Sequence, residues 1–296
     1  MGSHPPARSR ARRGGLVPAC RWGFAAGVGD ASPLNNTMGE DMSDTVIISV
    51  KDISKTFGGL KALSDVSFDV YQGEIYGIIG PNGSGKTTLV NCITGFIRPD
   101  SGHVYFRNEE ITRWPVHKIA GVGVTRTFQL MRPYYSLPAF KNLIIPLWSP
   151  RARKTGGWRG GGKHGDRDTV AIDILEEIGF ERESKVPYKL AGTLPTGYQK
   201  RLELARCIAL RPDVIFCDEV FSGLSMSEIA GMVPLIEKLK MEGVTLVMIE
   251  HRLRELFRVA DRIMALNFGE KIAEGYYTDV IEDKRVKEAY LGSEEV

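Results

Sequence analysis

The stretch Gly80-Pro81-Asn82-Gly83-Ser84-Gly85-Lys86-Thr87-Thr88 constrains this chain more than any other. It fits G-x-x-x-x-G-K-[ST], and it lies where that motif needs to lie, between a strand and a helix. Glu74-Ile75-Tyr76-Gly77-Ile78-Ile79 reads as an apolar strand that runs into it. A helix is expected to leave it, from about Gly85 to Thr94, and to stop at Gly95. Glycines let backbone N–H groups wrap phosphate oxygens, and the helix N-terminus adds a positive dipole. Lys86 can then reach the outer phosphates, while the Thr87 hydroxyl can ligate Mg²⁺.

The rest of the chain supplies a setting for such a loop. Val46-Ile47-Ile48-Ser49-Val50, Val66-Ser67-Phe68-Asp69-Val70 and His103-Val104-Tyr105-Phe106 read as strands. Val214-Ile215-Phe216-Cys217 and Val244-Thr245-Leu246-Val247-Met248-Ile249 are continuous apolar runs, suited to a parallel sheet covered on both faces. Residues 131–211 carry few strand signals and two helical stretches, 170–178 and 197–210. Between Trp148 and Arg167 a Gly-, Arg- and Lys-rich run without periodicity reads as an exposed loop. The expected architecture is therefore α/β. A mainly parallel core carries an N-terminal antiparallel β part over 42–130 and 212–296, interrupted by a helical insertion over 131–211.

Residues 1–41 are rich in Gly, Pro, Ala and Arg, with no acidic residue before Asp30. Such a segment buries too little apolar surface to order itself. It reads as a disordered extension: transit-like in composition, a cloning remnant, or sequence upstream of a start at Met38 or Met42. The net charge of +3 is too small for a nucleic-acid surface, and no apolar run approaches the roughly 20 residues needed to span a bilayer. Cys20, Cys92, Cys207 and Cys217 have neither pairing nor metal-ligand spacing, and read as reduced thiols of a cytosolic protein.

Asp218 ends the apolar run 214–217, where an open α/β sheet presents its ligand crevice. It can hold Mg²⁺ there, and Glu219 can polarise the water that attacks a γ-phosphate. His251 follows the strand ending at Glu250, and Gln129 ends Thr127-Phe128-Gln129; neither residue announces a role by itself.

Taken in order, these residues resemble the ABC ATPases over 45–296. The family pattern runs from an adenine-stacking aromatic through the phosphate loop, a glutamine loop, a signature sequence and an Asp-Glu strand to a switch histidine. The matching positions are Phe57, Gly80–Thr88, Gln129, Leu194-Pro195-Thr196-Gly197-Tyr198-Gln199, Asp218-Glu219 and His251. The resemblance implies ATP and Mg²⁺ as ligands, with Gln129 joining Thr87 and Asp218 around the metal. It also implies two such domains head to tail, in which Thr196 and Gly197 contact the partner's nucleotide. Two departures stand out. Pro195 replaces the usual signature serine, leaving Thr196, Thr193 or backbone N–H groups to take its place, and Ser225 stands where many members carry Asp.

The stretches 57–63, 125–129, 200–206 and the tail Ala289-Tyr290-Leu291-Gly292 resemble the ATPases of branched-chain amino-acid importers. That resemblance implies a peripheral subunit at the cytoplasmic membrane face. Its partners would be a second ATPase subunit, identical or different, membrane permease subunits and, indirectly, a substrate-binding protein. Urea or amide importers and the lipopolysaccharide-export ATPase are similar alternatives. A soluble ABC protein of translation or repair is a more distant one, since those carry two cassettes or a long coiled coil.

Overall fold

The computed structural model describes residues 45–129, 131–154 and 167–291. The expected extension 1–41, Leu130 and most of the loop expected at 148–167 lie outside the described residues.

The chain opens with two long strands, β1 (Val46–Phe57) and β2 (Leu60–Tyr71), and β3 (Ile75–Ile79) leads into α1 (Lys86–Ile93). Then come β4 (Ser101–Phe106), β5 (Glu109–Glu110), α2 (Val116–Val122) and β6 (Val124–Arg126). A helical stretch follows, with α3 (Ile144–Leu147), α4 (Pro150–Lys154), α5 (Arg167–Glu177) and α6 (Thr196–Ala209). The chain then alternates β7 (Val214–Asp218), α7 (Met226–Met241), β8 (Thr245–Ile249), α8 (Leu253–Leu256), β9 (Arg262–Asn267) and β10 (Glu270–Gly275). It closes with α9 (Tyr277–Glu282) and α10 (Lys284–Leu291). Among the described residues no helix is long and apolar enough to cross a membrane.

The strands form two sheets. One is antiparallel, in the order β2-β1-β4-β5; the other runs β10-β9-β3-β8-β7-β6. In the second, β9, β3, β8, β7 and β6 are mutually parallel, and only β10 is antiparallel. The protein is thus α/β, with an antiparallel β part beside a mainly parallel core.

Every residue of β3, β7 and β8 is buried, because helices or a second sheet cover both faces. Ile75, Ile79, Ile215, Cys217, Leu246 and Met248 point into a core shared with α5, α6 and α7. The alternate residues Tyr76, Ile78, Val214, Phe216, Val247 and Ile249 point into a second core with α1 and the antiparallel sheet. Phe68 of β2 stacks on Tyr76 of β3 at 5.4 Å, so one aromatic pair joins the two sheets.

The first strand runs past the expected Val50 to Phe57 through several register shifts, with Asp52 at φ 50. Its middle is polar because it bends at these irregularities, which hides the period of two. The loop expected from Trp148 needs correcting, since Pro150–Lys154 is helical and α5 starts at Arg167. Arg151 explains the departure. It donates to the carbonyls of Val122 and Arg211 and to Asp213, so this one short turn is fixed by long-range contacts that leave no periodicity. Arg167 covers the Trp148 ring, 3.1 Å from its centroid.

Candidate functional site: four strand ends in a row

The strand order β3-β8-β7-β6 makes the site. The phosphate loop follows β3, Glu250 and His251 follow β8, Asp218 and Glu219 close β7, and Gln129 lies three residues past β6. Motifs far apart in sequence therefore share the carboxyl edge of one sheet, the place where open α/β sheets bind ligands.

At β3 the backbone requires glycine at two positions of the loop. Gly80 has φ 151, and a Cβ there would overlap the Leu266 carbonyl oxygen. Gly85 has φ 104, and its Cβ would lie 2.6 Å from the Ala62 carbonyl oxygen. The loop is thus pressed against β9 and β2 and cannot carry side chains at either point. Lys86 folds back into it, its ammonium donating to the carbonyls of Gly80 at 2.7 Å and Pro81 at 2.9 Å. Burial lowers the Lys86 pKa, while Glu219 and Asp218 pull it back up. Thr87 is exposed in the first turn of α1 and Thr88 half-buried, whereas Ser84 is buried with its hydroxyl unpartnered. Asn82 and Gly83 are exposed on the rim, and Phe57 is exposed at the end of β1, with the Lys55 ammonium over its ring.

At β7, Asp218 is buried, and Arg126 donates to its Oδ2 at 2.6 Å. Its Oδ1 is also buried and has no partner among the described residues. A buried, unpartnered carboxylate oxygen is costly unless something satisfies it. A carboxylate oxygen is the hard donor that suits a divalent cation such as Mg²⁺, and the Thr87 hydroxyl and Gln129 amide oxygen expected to join it are of the same kind.

Glu219 has φ 51, a left-handed backbone that costs a non-glycine residue about 1–3 kcal/mol. Two ties hold it there. Its N–H donates to the Ile249 carbonyl at 2.9 Å, and its own carbonyl accepts from the Lys200 ammonium at 2.8 Å. The side chain consequently stands between two partners: Gln129 Nε2 donates to Oε2 at 3.0 Å, and His251 Nε2 lies 3.1 Å from Oε1. The structure thus joins Gln129, Glu219 and His251, three residues that sequence reading left separate without the family pattern.

Thr196 and Gly197 lie elsewhere, at the N-terminus of α6. Pro195 is the N-cap there and makes no side-chain cap bond. Instead the Gly197 N–H donates to the carboxylate of Glu228, which also forms a capping box with Ser225 at the start of α7. The bonds from Ser225 first, and then that from Gly197, hold the Glu228 pKa below its usual value.

Sequence reading missed five residues near the site: Arg126, Lys200, Glu228, Glu250 and Tyr290. Glu250 is buried and accepts the Phe221 N–H at 3.0 Å, and burial pushes its pKa up to about 8. Tyr290 of α10 accepts the Gly80 N–H, and burial pushes its hydroxyl up to about 12. Of the five, Lys200 and Glu250 are a buried Lys and Glu next to motif residues, and that adjacency was the available signal for those two.

Comparison with known proteins agrees with this geometry. The pattern of the family described as ABC transporter matches residues 63–222. The high-affinity branched-chain amino acid transport ATP-binding protein BraF of Pseudomonas aeruginosa is 36% identical over 256 residues, covering 83% of this chain and 98% of BraF. LivG of Escherichia coli, a protein of the same description, is 33% identical over 255 residues, 83% of this chain and 98% of LivG. The ADP conformation of MJ1267, an ATP-binding cassette of an ABC transporter, superposes with a TM-score of 0.73 at 33% identity, covering 84% of this chain and 99% of that one. MJ0796, a bacterial ABC transporter cassette solved as a dimer, gives 0.68 at 27% identity, covering 78% and 98%. The chain belongs to the ABC transporter family, as one of its nucleotide-binding ATPase subunits.

Proposed function

We propose that this chain powers the import of branched-chain or other hydrophobic amino acids through a separate permease, at the cytoplasmic face of the membrane. The observation that carries the ATPase half is the cluster Gln129–Glu219–His251, one strand from the phosphate loop. The names of BraF and LivG support the cargo class.

In this reading Lys86 and the N–H groups of residues 80–88 hold the phosphates of ATP, and Phe57 stacks on the base. Thr87, Asp218 and Gln129 would hold Mg²⁺, which would supply positive charge beside the outer phosphates. Glu219 accepts a hydrogen bond from the water that attacks the γ-phosphorus. The bond to the β-phosphate oxygen breaks, giving ADP and phosphate, and His251 orients the carboxylate that receives the water's proton. Each chain holds one half of each site in a head-to-tail dimer, with Thr196 and Gly197 facing the partner's γ-phosphate. Residues 131–211 act as the insertion that meets the permease. Tyr134 and Tyr135 are exposed there, with Arg206 5.3 Å from the Tyr134 ring, the residue types common at interface hot spots.

The test is reconstitution in vesicles with a permease and a binding protein of a branched-chain amino-acid importer. Leucine, isoleucine or valine is expected to raise ATP turnover and accumulate inside, while urea does neither. Stimulation by urea alone would reassign the cargo. Replacing Tyr134 and Tyr135 with Ala is expected to leave basal hydrolysis and melting temperature intact and to abolish the stimulation. A large fall in melting temperature with intact stimulation would make them core residues instead.

A further inference from the structure

Lys200 is buried, 6% exposed, in the second turn of α6, and its ammonium crosses from that helix to the parallel sheet. It donates to the carbonyl oxygen of Glu219 at 2.8 Å. A lysine is rarely buried without compensating charge. Here Glu250, Glu219, Asp218 and Glu203 surround it, and their attraction opposes the desolvation that lowers its pKa. Glu250 completes a clamp on the same turn of chain, accepting the Phe221 N–H at 3.0 Å from the β8 side. Glu219 is thereby gripped from two directions, by α6 through its carbonyl and by β8 through its N–H and the residues just after it. Its left-handed backbone makes the grip consequential, since a strained φ persists only while its surroundings enforce it.

We propose that Lys200 is a positioning residue: its bond to the Glu219 carbonyl makes the placement of the Glu219 carboxylate depend on the placement of α6. The first turn of that helix carries Thr196 and Gly197. If these face the partner's ATP, as the dimeric reading above has it and on which this step rests, Lys200 passes the state of one ATP site to the hydrolytic carboxylate of the other. The path is short, from the helix N-terminus to Lys200 one turn on and then through one hydrogen bond. It does not involve Ser225, which stands in the loop where an aspartate commonly serves the dimer.

The test compares the full chain with Lys200→Met, Lys200→Arg and, as a reference, Glu219→Gln. The readouts are binding of a fluorescent ATP analogue, turnover against MgATP concentration, and melting temperature. Lys200→Met is expected to bind nucleotide within about twofold of wild type while its turnover falls about ten- to a hundredfold, the scale of a misplaced catalytic group. Its rate curve is expected to change from sigmoidal to hyperbolic. Lys200→Arg, which keeps a charged donor, is expected to recover much of the loss. Should Lys200→Met fail to melt cooperatively, Lys200→Gln takes its place and must show the same split. Turnover within twofold of wild type with unchanged sigmoidicity overturns the proposal, as does parallel loss of binding and turnover. A wild-type chain without ATP turnover, or an active Glu219→Gln, would overturn the hydrolytic reading beneath it.

Discussion

The two helix N-termini proposed above to meet phosphate are built in opposite ways. At α1 a glycine in left-handed conformation is the N-cap, there is no acidic residue in the first turn, and a lysine sits inside the loop. At α6 the N-cap is Pro195, and a carboxylate from α7 already lies on the Gly197 N–H. Among the described residues no side chain caps the positive end of α1, whereas that of α6 is partly neutralised by the chain's own Glu228. The contrast teaches that an anion arriving at α1 meets no resident carboxylate, and that Lys86 need only leave the Gly80 and Pro81 carbonyls to reach it. At α6 an incoming phosphate meets a resident carboxylate and must displace it or share the helix end with it.

The largest expected effect tests whether chemistry depends on the α1 side alone. Glu219→Gln keeps the shape of the side chain but removes the proposed base. Turnover is expected to fall by about 10²–10⁴-fold while ATP still binds, and an ATP-stabilised dimer accumulates in gel filtration. Persistent turnover would show that Glu219 does not hold the attacking water. Next in size is Lys86→Ala, which deletes the charge inside the α1 loop. The dissociation constant for ATP is expected to rise about ten- to a hundredfold in equilibrium binding, because a charge-assisted bond to phosphate is lost. The equivalent change at α6 is milder. Glu228→Gln keeps a cap on Gly197 and removes the competing charge, so half-saturation of turnover is expected at an ATP concentration lower by no more than about threefold. A higher half-saturation would mean that Glu228 helps the dimer form, and would reverse the comparison.

The smallest effect concerns Glu250, which serves the turn between the two regions. Its pKa in the folded chain is about 8, raised by burial, against about 4.5 when unfolded. Between those values the folded state holds a proton that the unfolded state lacks, so this group's contribution is complete below about pH 4.5 and fades as pH rises through 8. Glu250→Gln cannot lose a proton. Its melting temperature relative to wild type is therefore expected to improve from pH 5 to pH 8. An unchanged difference across that range would mean that Glu250 is charged throughout.

The two regions also differed in how far they could be read from sequence. β3, β7 and β8 were legible because burial on both faces makes a strand continuously apolar, and the glycine-rich loop because Gly80 and Gly85 have no room for a side chain. Gln129 and His251 are isolated polar residues in the chain, and only the family pattern singled them out. Their partner, Glu219, is 90 residues from one of them, and no local signal records that distance. Lys200 was read only as part of the stretch 200–206 that resembles importer ATPases, since nothing in the spacing of Gln199-Lys200-Arg201 marks the middle residue as buried. The tail 289–292 was read as a subfamily likeness, while the contact from Tyr290 to Gly80 needed the fold to appear.

The strand order bears on synthesis as well as on chemistry. β3 pairs on one side with β8 and on the other with β9, both made after residue 244. A chain emerging from the ribosome therefore carries its phosphate loop for more than half its length before either neighbour of that strand exists. Until then the apolar segment Ile75–Ile79 has two unpaired edges, the condition under which strands aggregate or recruit chaperones. ATP, which stabilises only the assembled site, cannot assist until the last third of the protein has been translated.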